Sequence, residues 1–317
     1  MSTAAPLSNA LKIECEDRPE WLDNRRNGCG ASDSSAILNV GFAGSSTHTV
    51  FCDKVYGSNG YAEDLLMAKS LKIGLMMEPV LRDIFADETG LPCESAGQFT
   101  IYRHPEIPIM TATLDGWTED ETGACPVELK NVGSFARADW LDEPPLKYQV
   151  QVQHQLAVTG CQRGYLFGLI GGNEPMTVII DRNEDFIDAL RVKLEEFWGY
   201  VQRKELPPMD GSAGASRVLS QLYPHDSGVT VALPAELTQV HEDMVDAKAD
   251  MKDAEGRKKL AENMIKAGIG DATFGEIPGV DGYYSWKEQS RIVKCPHCRE
   301  ITSEAHFRTL RKVKKNR

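Results

Sequence analysis

The chain has 317 residues, of which 41% are hydrophobic and 26% are charged, and its formal net charge at pH 7 is −12. This composition is typical of a soluble globular protein with one large domain or two smaller ones, and the short apolar runs exclude a membrane span. The acidity argues against nucleic-acid binding by general attraction, but it allows an enzyme with a local basic channel. The N-terminal residues lack the pattern of a secretory signal, which predicts a cytoplasmic protein.

The first predicted elements are helices. Residues 1–16 are expected to be weakly ordered, and the segment RPEWLDNRR is predicted to form a helix that ends in a turn at 28–30. A second short helix is expected to be capped by Ser32 or Asp33, since both residue types are preferred helix caps. A longer helix is predicted from the apolar spacing before Gly90, which is a plausible stop.

The middle of the chain is predicted to contain a group of strands, followed by alternating helices and strands. Strands are predicted at 97–102, 109–117, 125–132, 164–172 and 176–182, and helices at 144–160 and 183–207. Asn183 is the expected cap of the last helix. This order predicts an α/β fold with a mixed rather than wholly parallel sheet, flanked by helices.

The composition of the sequence changes near residue 206, where the Pro, Gly and Ser residues of PPMDGSAGAS are typical of a linker. We therefore predict a core at 1–205, a linker at 206–234 and a helical and basic extension at 235–317. The extension carries an apolar heptad seam, which is expected to pack on the parent domain or on a partner helix. Its members are Leu237, Val240, Met244, Ala247, Met251 and Ala254. The last residues form a small β or irregular segment with a basic tail, which is either solvated or in contact with phosphates.

A predicted hairpin carries the most informative polar residues. Glu128 and Lys130 flank Leu129 on one strand, so they share a face, and Asp115 on the neighbouring strand can lie beside Glu128. One interpretation is an ordinary cross-strand ion pair on a solvated face. The other is a Mg²⁺ site, because two neighbouring carboxylates repel each other unless a cation lies between them. A lysine there could orient or deprotonate a water that attacks phosphorus.

Four motifs give this second interpretation a family context. Asp115, followed by Glu128-Leu129-Lys130, resembles the D…ExK signature of the PD-(D/E)XK nucleases. GASDSSAILNVG, GLMMEPVLRDIFADETG and YQVQVQHQLAVTG resemble, in this order, the flanking motifs of the phage lambda exonuclease and YqaJ-type viral recombinase family. Leu114 stands where the signature usually has proline. The resemblance covers roughly residues 20 to 200 and implies a restriction-endonuclease-like core.

The resemblance also implies roles for individual residues. Asp115, Glu128 and the Leu129 carbonyl would hold Mg²⁺, with Mn²⁺ as a substitute, and Lys130 would serve the attacking water. Glu78 would ligate a second metal or hold its water. Gln151 would brace the site, and Tyr148 would support it or contact DNA. The 5′-phosphate of DNA would be bound by residues that have ordinary structural alternatives as caps or ion pairs: Ser32, Arg25 or Arg26, and Thr113.

The implied activity is 5′-to-3′ digestion of linear double-stranded DNA, which leaves 3′ single strands for recombination by strand annealing. The implied partners are double-stranded DNA ends, a single-strand annealing protein and two further copies of the chain in a trimeric ring. The alternatives are an endonuclease or repair nuclease of the same fold, and a non-catalytic protein that binds DNA ends.

A CxxC pair near the C-terminus is half of a metal site. Its second half is missing at a matching spacing, although His306 is nearby and other cysteines could approach from afar. Zn²⁺ at Cys295 and Cys298 is therefore one alternative, and a reduced, exposed thiol pair is the one that we expect.

Overall fold

The computed structural model describes residues 10–42, 44–57, 65–141, 143–294 and 301–313. The chain divides into two compact units, Met1–Asp226 and Ser227–Arg317. The helices of the first unit are α1 (Arg18–Arg26), α2 (Ala31–Ile37), α3 (Thr47–Tyr56), α4 (Leu65–Thr89), α5 (Leu146–Thr159), α6 (Glu184–Arg203) and α7 (Ala213–Leu222), with a 3₁₀ helix at Ser134–Trp140. Its strands are β1 (Leu11–Glu14), β2 (Thr100–Arg103), β3 (Thr111–Ala112), β4 (Gly116–Asp120), β5 (Gly123–Val132), β6 (Arg163–Ile170) and β7 (Glu174–Asp181).

Two sheets organise the first unit. Strands β1, β2 and β3 form an antiparallel sheet in that order, and β4, β5, β6 and β7 form the larger one. In the larger sheet β5 and β6 are parallel while the other two pairs are antiparallel, so the sheet is mixed. The predicted fold class, a mixed sheet flanked by helices, is confirmed.

The larger sheet is apolar on both faces because helices cover both. Leu129 of β5 and Phe167 of β6 pack in one cluster with Leu81 and Phe85 of α4, all nearly inaccessible to solvent. A second cluster contains residues of α5 such as Leu156, and it extends across α6, α3 and α7. Strand β5 is thus held between α4 and α5, and its polar residues are positioned by both helices.

The predicted strand 109–117 is interrupted, which corrects the sequence analysis. The chain leaves the small sheet after Ala112 and enters the larger one at Gly116. Asp115 lies in the break, directly before the β4–β5 hairpin in which Gly116 stands opposite Val127. A strand that changes sheets frees the intervening residues from ladder pairing, so Asp115 can bond elsewhere.

Two predictions for the N-terminal region are also wrong. Residues 11–14, expected to be weakly ordered, form β1 because they pair with β2. Helix α2 is capped by Gly30, whose N–H donates to the Asp33 carboxylate over 2.8 Å, so Ser32 lies within the first turn and is not the cap. The N-cap predicted at Asn183 and the helix end predicted at Gly90 are confirmed, since α6 begins after Asn183 and α4 ends at Thr89.

The segment predicted as a linker, 206–234, contains α7, which packs on α3. Ala215 and Val218 of this helix are buried. Gly214 lies against Ser46, where a Cβ atom would have no room. The small residues that suggested a flexible linker therefore serve a close helix–helix contact.

The second unit contains a long helix, α8 (Leu237–Ile269), and three strands, β8 (Phe274–Gly275), β9 (Tyr283–Lys294) and β10 (Ile301–Val313). Strands β9 and β10 are antiparallel, and Tyr283 stands opposite Val313. The expected Cys295 and Cys298 pair lies outside the described residues. Across the described ranges, every helix is too short or too polar to traverse a bilayer.

Candidate active site

Asp115 is fixed at the start of the hairpin by two hydrogen bonds. The backbone N–H of Leu129 donates to its Oδ2 over 2.9 Å. Nη1 of Arg82, on α4, donates to the Asp115 carbonyl oxygen, also over 2.9 Å. The carboxylate of Asp115 is therefore held by β5, and its backbone is held by α4.

Glu128 and Lys130 lie on the same face of β5, as their spacing predicts. The Lys130 ammonium bonds to Glu128 Oε1 and lies 3.9 Å from Asp115 Oδ2. Glu128 is only 6% exposed, so this is not the solvated ion pair of the first interpretation. The structure brings the two acids and the lysine together.

The proximity of these groups shifts their protonation. Burial, and then the neighbouring Glu128 charge, raise the pKa of Asp115 to about 7, although Lys130 and the Leu129 N–H oppose the change. Burial alone would lower the pKa of Lys130, but Glu128 and Asp115 outweigh it, so that pKa is raised. A cation at this position is thus favoured, and Lys130 is an ammonium at neutral pH.

Glu78 reaches the same site from α4. It lines a cleft of 610 Å³ together with Asp115, Lys130 and Tyr148. Burial raises the pKa of Glu78, and Arg82 and Lys130 partly offset this effect. The cleft is therefore lined by two carboxylates and one ammonium, and Glu128 lies buried beside Lys130.

Helix α5 closes the other side of the site. Gln155 donates from Nε2 to Glu128 Oε2 over 2.5 Å. Gln151, one turn earlier, is 3% exposed, and its Oε1 has no partner among the described residues. The Tyr148 ring centre lies 5.5 Å from Lys130 Nζ. The bond that braces Glu128 thus comes from Gln155, while Gln151 and Tyr148 lie on the same helix beside it.

Only some of the residues expected to bind a terminal phosphate lie near one another in the structure. Thr113 lines a second cavity, of 350 Å³, with Trp21, Glu78 and Asp115. Arg25 lies over the ring of Trp21 at 4.6 Å, and Trp21 is one of the residues that line this cavity.

The other two expected phosphate ligands have different surroundings. Arg26 pairs with Asp23 over 2.8 Å. Ser32 is exposed on α2, and its carbonyl accepts a hydrogen bond from Ser35. Neither Ser32 nor Arg26 is among the residues that line the cavity at Thr113.

Sequence reasoning left Gln155 and Arg82 out of the site. The helical spacing indicates that both residues lie near the site, since Gln155 follows Gln151 by one turn and Arg82 follows Glu78 by one turn. The spacing alone does not show which member of each pair contacts a carboxylate, because that depends on how the helix is rotated against β5.

The donor set suits a hard divalent cation. Mg²⁺ is usually held by one or two carboxylates, with water and substrate phosphate completing its shell. Among the described residues, no three His, Cys, Asp or Glu side chains are gathered closely enough to hold a metal by themselves. Asp115 and Glu128, with the Leu129 carbonyl, are the oxygens that could hold one here, and the raised pKa of Asp115 shows that their charges require compensation.

Comparison with known proteins gives three kinds of similarity. Residues 20–162 match the family described as YqaJ-like viral recombinase domain. A Bacillus subtilis (strain 168) protein, described as uncharacterized protein YqaJ, is 29% identical over 303 residues, which is 92% of each chain. An alkaline exonuclease from Laribacter hongkongensis, LHK-Exo, is 20% identical over 59% of this chain and 94% of its own, with a TM-score of 0.48. A phage-related exonuclease from Haemophilus somnus 129PT is 12% identical over 57% of this chain and 96% of its own, with a TM-score of 0.40.

Proposed function

We propose that the protein is a metal-dependent exonuclease of phage-type recombination, because residues 20–162 match the family described as YqaJ-like viral recombinase domain. It digests linear double-stranded DNA in the 5′-to-3′ direction and leaves 3′ single strands for annealing. The observation that carries this proposal is the convergence of Asp115, Glu128 and Lys130, with Asp115 and Lys130 lining a cleft of 610 Å³.

The proposed metal ligands are Asp115, Glu128 and the Leu129 carbonyl, with Glu78 as an additional acid. Bound Mg²⁺, or Mn²⁺ in its place, would stabilise negative charge on the phosphate and make a water nucleophilic. The Leu129 N–H holds the Asp115 carboxylate, Arg82 holds the Asp115 backbone carbonyl, and Gln155 holds the Glu128 carboxylate. The chain's own contribution is a preorganised pair of acids.

Lys130 and Glu78 are proposed to act on the water. Since the pKa of Lys130 is raised, its side chain is charged and orients the water by donating a hydrogen bond, rather than by taking its proton. Glu78 faces the same cleft and holds the water from the opposite side. When water attacks phosphorus, the ammonium also lies close enough to offset the growing charge on the phosphate oxygens.

The DNA end is proposed to enter beside this cleft. Thr113 lines the 350 Å³ cavity and Arg25 contacts Trp21 of the same cavity, so these two are the better placed of the four predicted phosphate-binding residues. Arg26 and Ser32 would require a change of side-chain position. By resemblance, three copies would form a ring around DNA and deliver the product to an annealing protein, in the host cytoplasm where recombining DNA is found.

The proposal is tested by incubating the protein with linear duplex DNA, in Mg²⁺ and in EDTA, with either 5′-phosphate or 5′-hydroxyl ends. A covalently closed circle is the control substrate. We expect metal-dependent loss of the linear DNA, faster with 5′-phosphate, and an intact circle. Nicking of the circle would instead indicate an endonuclease, and absence of cleavage with any divalent metal would indicate a protein that only binds ends.

Two variants connect the activity to the site. Asp115→Asn and Lys130→Met should each abolish cleavage while the thermal transition of the protein is retained. Lys193→Met, which removes an exposed charge paired with Glu196, is the matched control and should cleave normally. Wild-type rates in either site variant would contradict the proposed chemistry.

A further inference from the structure

Helix α8 presents an apolar seam to solvent. Leu237, Val240, Met244 and Met251 are 41–64% exposed, and Ala247, Ala254 and Ala261 continue the seam with the alternating spacing of a heptad repeat. The seam extends over more than four heptads to Ile265 and Gly268, which is long enough to specify a coiled coil. In the described part of the second unit, only the last turns of this helix are shielded.

We propose that α8 pairs with α8 of a second copy of this chain in an antiparallel coiled coil, in which Met251 of one helix lies opposite Ala254 of the other. The proposal concerns assembly, and it does not rest on the nuclease activity. Two properties of the seam support the pairing: the facing side chains are complementary in size, and the flanking side chains are complementary in charge.

The register places a large residue opposite a small one in every layer of the seam except that of Val240 and Ile265. Met251 meets Ala254 of the second copy, Met244 meets Ala261, and Leu237 meets Gly268. Lys258, the charged residue within the seam, lies opposite Ala247, where its ammonium can extend to water. Alternation of large and small side chains keeps the distance between two helices even along their length.

The residues that flank the seam are also complementary. In an antiparallel coiled coil, the residues that directly follow the seam positions Val240, Ala247 and Ala254 on one helix face the corresponding residues of the other helix. The residues that directly precede the seam positions Met244, Met251 and Lys258 face each other in the same way. In this register the facing pairs are Lys248 with Glu255, His241 with Glu262, and Asp250 with Arg257. Each occurs twice by symmetry. Arg257 also pairs with Asp253 of its own helix over 2.9 Å, and its guanidinium has donors for both acids.

Other antiparallel registers keep some attractive pairs, such as Asp243 with Arg257 or Lys248 with Glu262, but they add like-charge contacts. A slip by one heptad in one direction places Lys248 opposite Lys248 and Asp250 opposite Asp250. A slip in the other direction does the same with Glu255 and Arg257. Like charges that face each other disfavour a register, so the charges select the alignment of Met251 with Ala254.

A parallel pair is disfavoured for a related reason. It would place Lys258 directly opposite Lys258 within the apolar seam and Asp250 opposite Glu255 on both sides, and these contacts offset the attraction of Asp243 to Lys248 and of Arg257 to Glu262. The same sequence thus selects both the direction and the register of the pairing.

A groove in the second unit lies where the end of the partner helix would arrive. It has a volume of 310 Å³ and is lined mainly by apolar residues, among them Ile265, Gly268, Ile269 and Ile277. Leu237 and Val240 of the second copy, which face Gly268 and Ile265, would enter this groove. The start of each helix would therefore be anchored at the end of the other.

The test uses two full-length variants of opposite charge. The acidic chain carries Lys248→Glu and Arg257→Glu, and the basic chain carries Asp250→Lys and Glu255→Lys. Each alone gains four like-charge contacts, and we expect self-association at least about tenfold weaker than in the wild type. An equimolar mixture restores every attractive pair, so it should regain the wild-type mass, which is twice that of either variant by light scattering.

The matched control carries Lys252→Glu and Lys259→Glu, the same charge change on the outer face of α8, and should keep the wild-type mass. Direction is tested by oxidation of cysteine variants, with the wild-type chain as background. Val240→Cys should cross-link to Ile265→Cys in a mixture but not to itself. Self-linking of Val240→Cys would overturn the antiparallel arrangement. Equal masses for the wild-type, acidic and basic chains would show that α8 does not pair with α8 of a second copy. A seam that binds a different protein would give this same result and would also overturn the proposal.

Discussion

At the scale of single residues, each of the two carboxylates accepts a hydrogen bond from an uncharged group of the protein. The Leu129 N–H holds Oδ2 of Asp115, and Gln155 holds Oε2 of Glu128. Such bonds orient a metal ligand without touching the metal, and their loss typically weakens metal affinity or activity by about 10–100-fold. Gln155 is therefore a positioning residue, and its effect is expected in the metal dependence of the reaction.

We predict that Gln155→Ala raises the Mg²⁺ concentration required for half-maximal cleavage by about 10–100-fold. The rate at saturating Mg²⁺ should fall less than this, because the ligands themselves remain. Gln153→Ala, on the same helix but bonded to the Asp181 carbonyl, is the control and should leave the Mg²⁺ dependence unchanged. If both variants lose activity with an unaltered Mg²⁺ dependence, Gln155 has only a structural role.

His154 lies on the same helix but faces away from the carboxylates. Its Nδ1 bonds to Ser34 Oγ over 2.7 Å and its Nε2 to the Thr111 carbonyl over 2.9 Å. Burial lowers its pKa to about 4, although the Thr111 carbonyl opposes the change. The folded protein thus holds a neutral imidazole between pH 4 and 6.5, while the unfolded chain takes up a proton in that range.

This difference makes stability fall as the pH is lowered through that range, because the unfolded state binds more protons. For His154 the free energy of unfolding should drop by about 2.5 kcal/mol between pH 7.5 and 4.5. Asp115, whose pKa is raised to about 7, acts in the opposite direction. The quantity to measure is therefore the difference in urea unfolding between wild type and His154→Gln at both pH values. A difference that does not vary with pH would contradict the assignment.

At the scale of elements, β6 approaches the 3₁₀ helix so closely that one position requires glycine. A Cβ at Gly168 would lie 2.8 Å from Cζ3 of Trp140. Trp140 in turn contacts Tyr148, with ring centres 5.5 Å apart. Gly168→Ala should therefore lower the free energy of unfolding by about 1–3 kcal/mol, the usual cost of overpacking.

The control for this substitution is Gly133→Ala. Gly133 has φ −66°, and a Cβ there would meet no atom within 4 Å, so alanine should be neutral or slightly stabilising. Chemical denaturation of the two variants compares them directly. If Gly168→Ala is as stable as Gly133→Ala, Trp140 can move away and the contact does not constrain β6.

The elements also show how far the sequence alone can be used. The i, i+2 spacing predicted that Glu128 and Lys130 share a face of β5, and the caps at Asn183 and Gly90 followed from local chemistry. The break at Asp115 was not predictable in this way, since residues 109–117 alternate as one strand would. It depends on which sheet each half joins, a tertiary choice that local pattern does not contain. The same reason explains why the small residues of α7 were interpreted as a linker.

At the scale of the whole molecule, every proposed site residue belongs to the first unit, Met1–Asp226. Its apolar clusters also end there, at Val218 and Leu222 of α7. The unit therefore contains a complete core together with the hairpin, α4 and α5. This arrangement separates the chemistry proposed for the first unit from the pairing proposed for the second.

Two truncations test that separation. A chain that ends at Asp226 keeps α7, so it should unfold in one cooperative transition and cleave linear DNA, while it loses the association that depends on α8. A chain that ends at residue 205 also loses Ala215 and Val218, which are 2% and 0% exposed. It should be less stable by about 3 kcal/mol, since burial of one Val-sized side chain contributes about 1.5–3 kcal/mol. Equal stability of the two chains would show that α7 is dispensable, and a folded but inactive chain ending at Asp226 would show that the second unit takes part in cleavage.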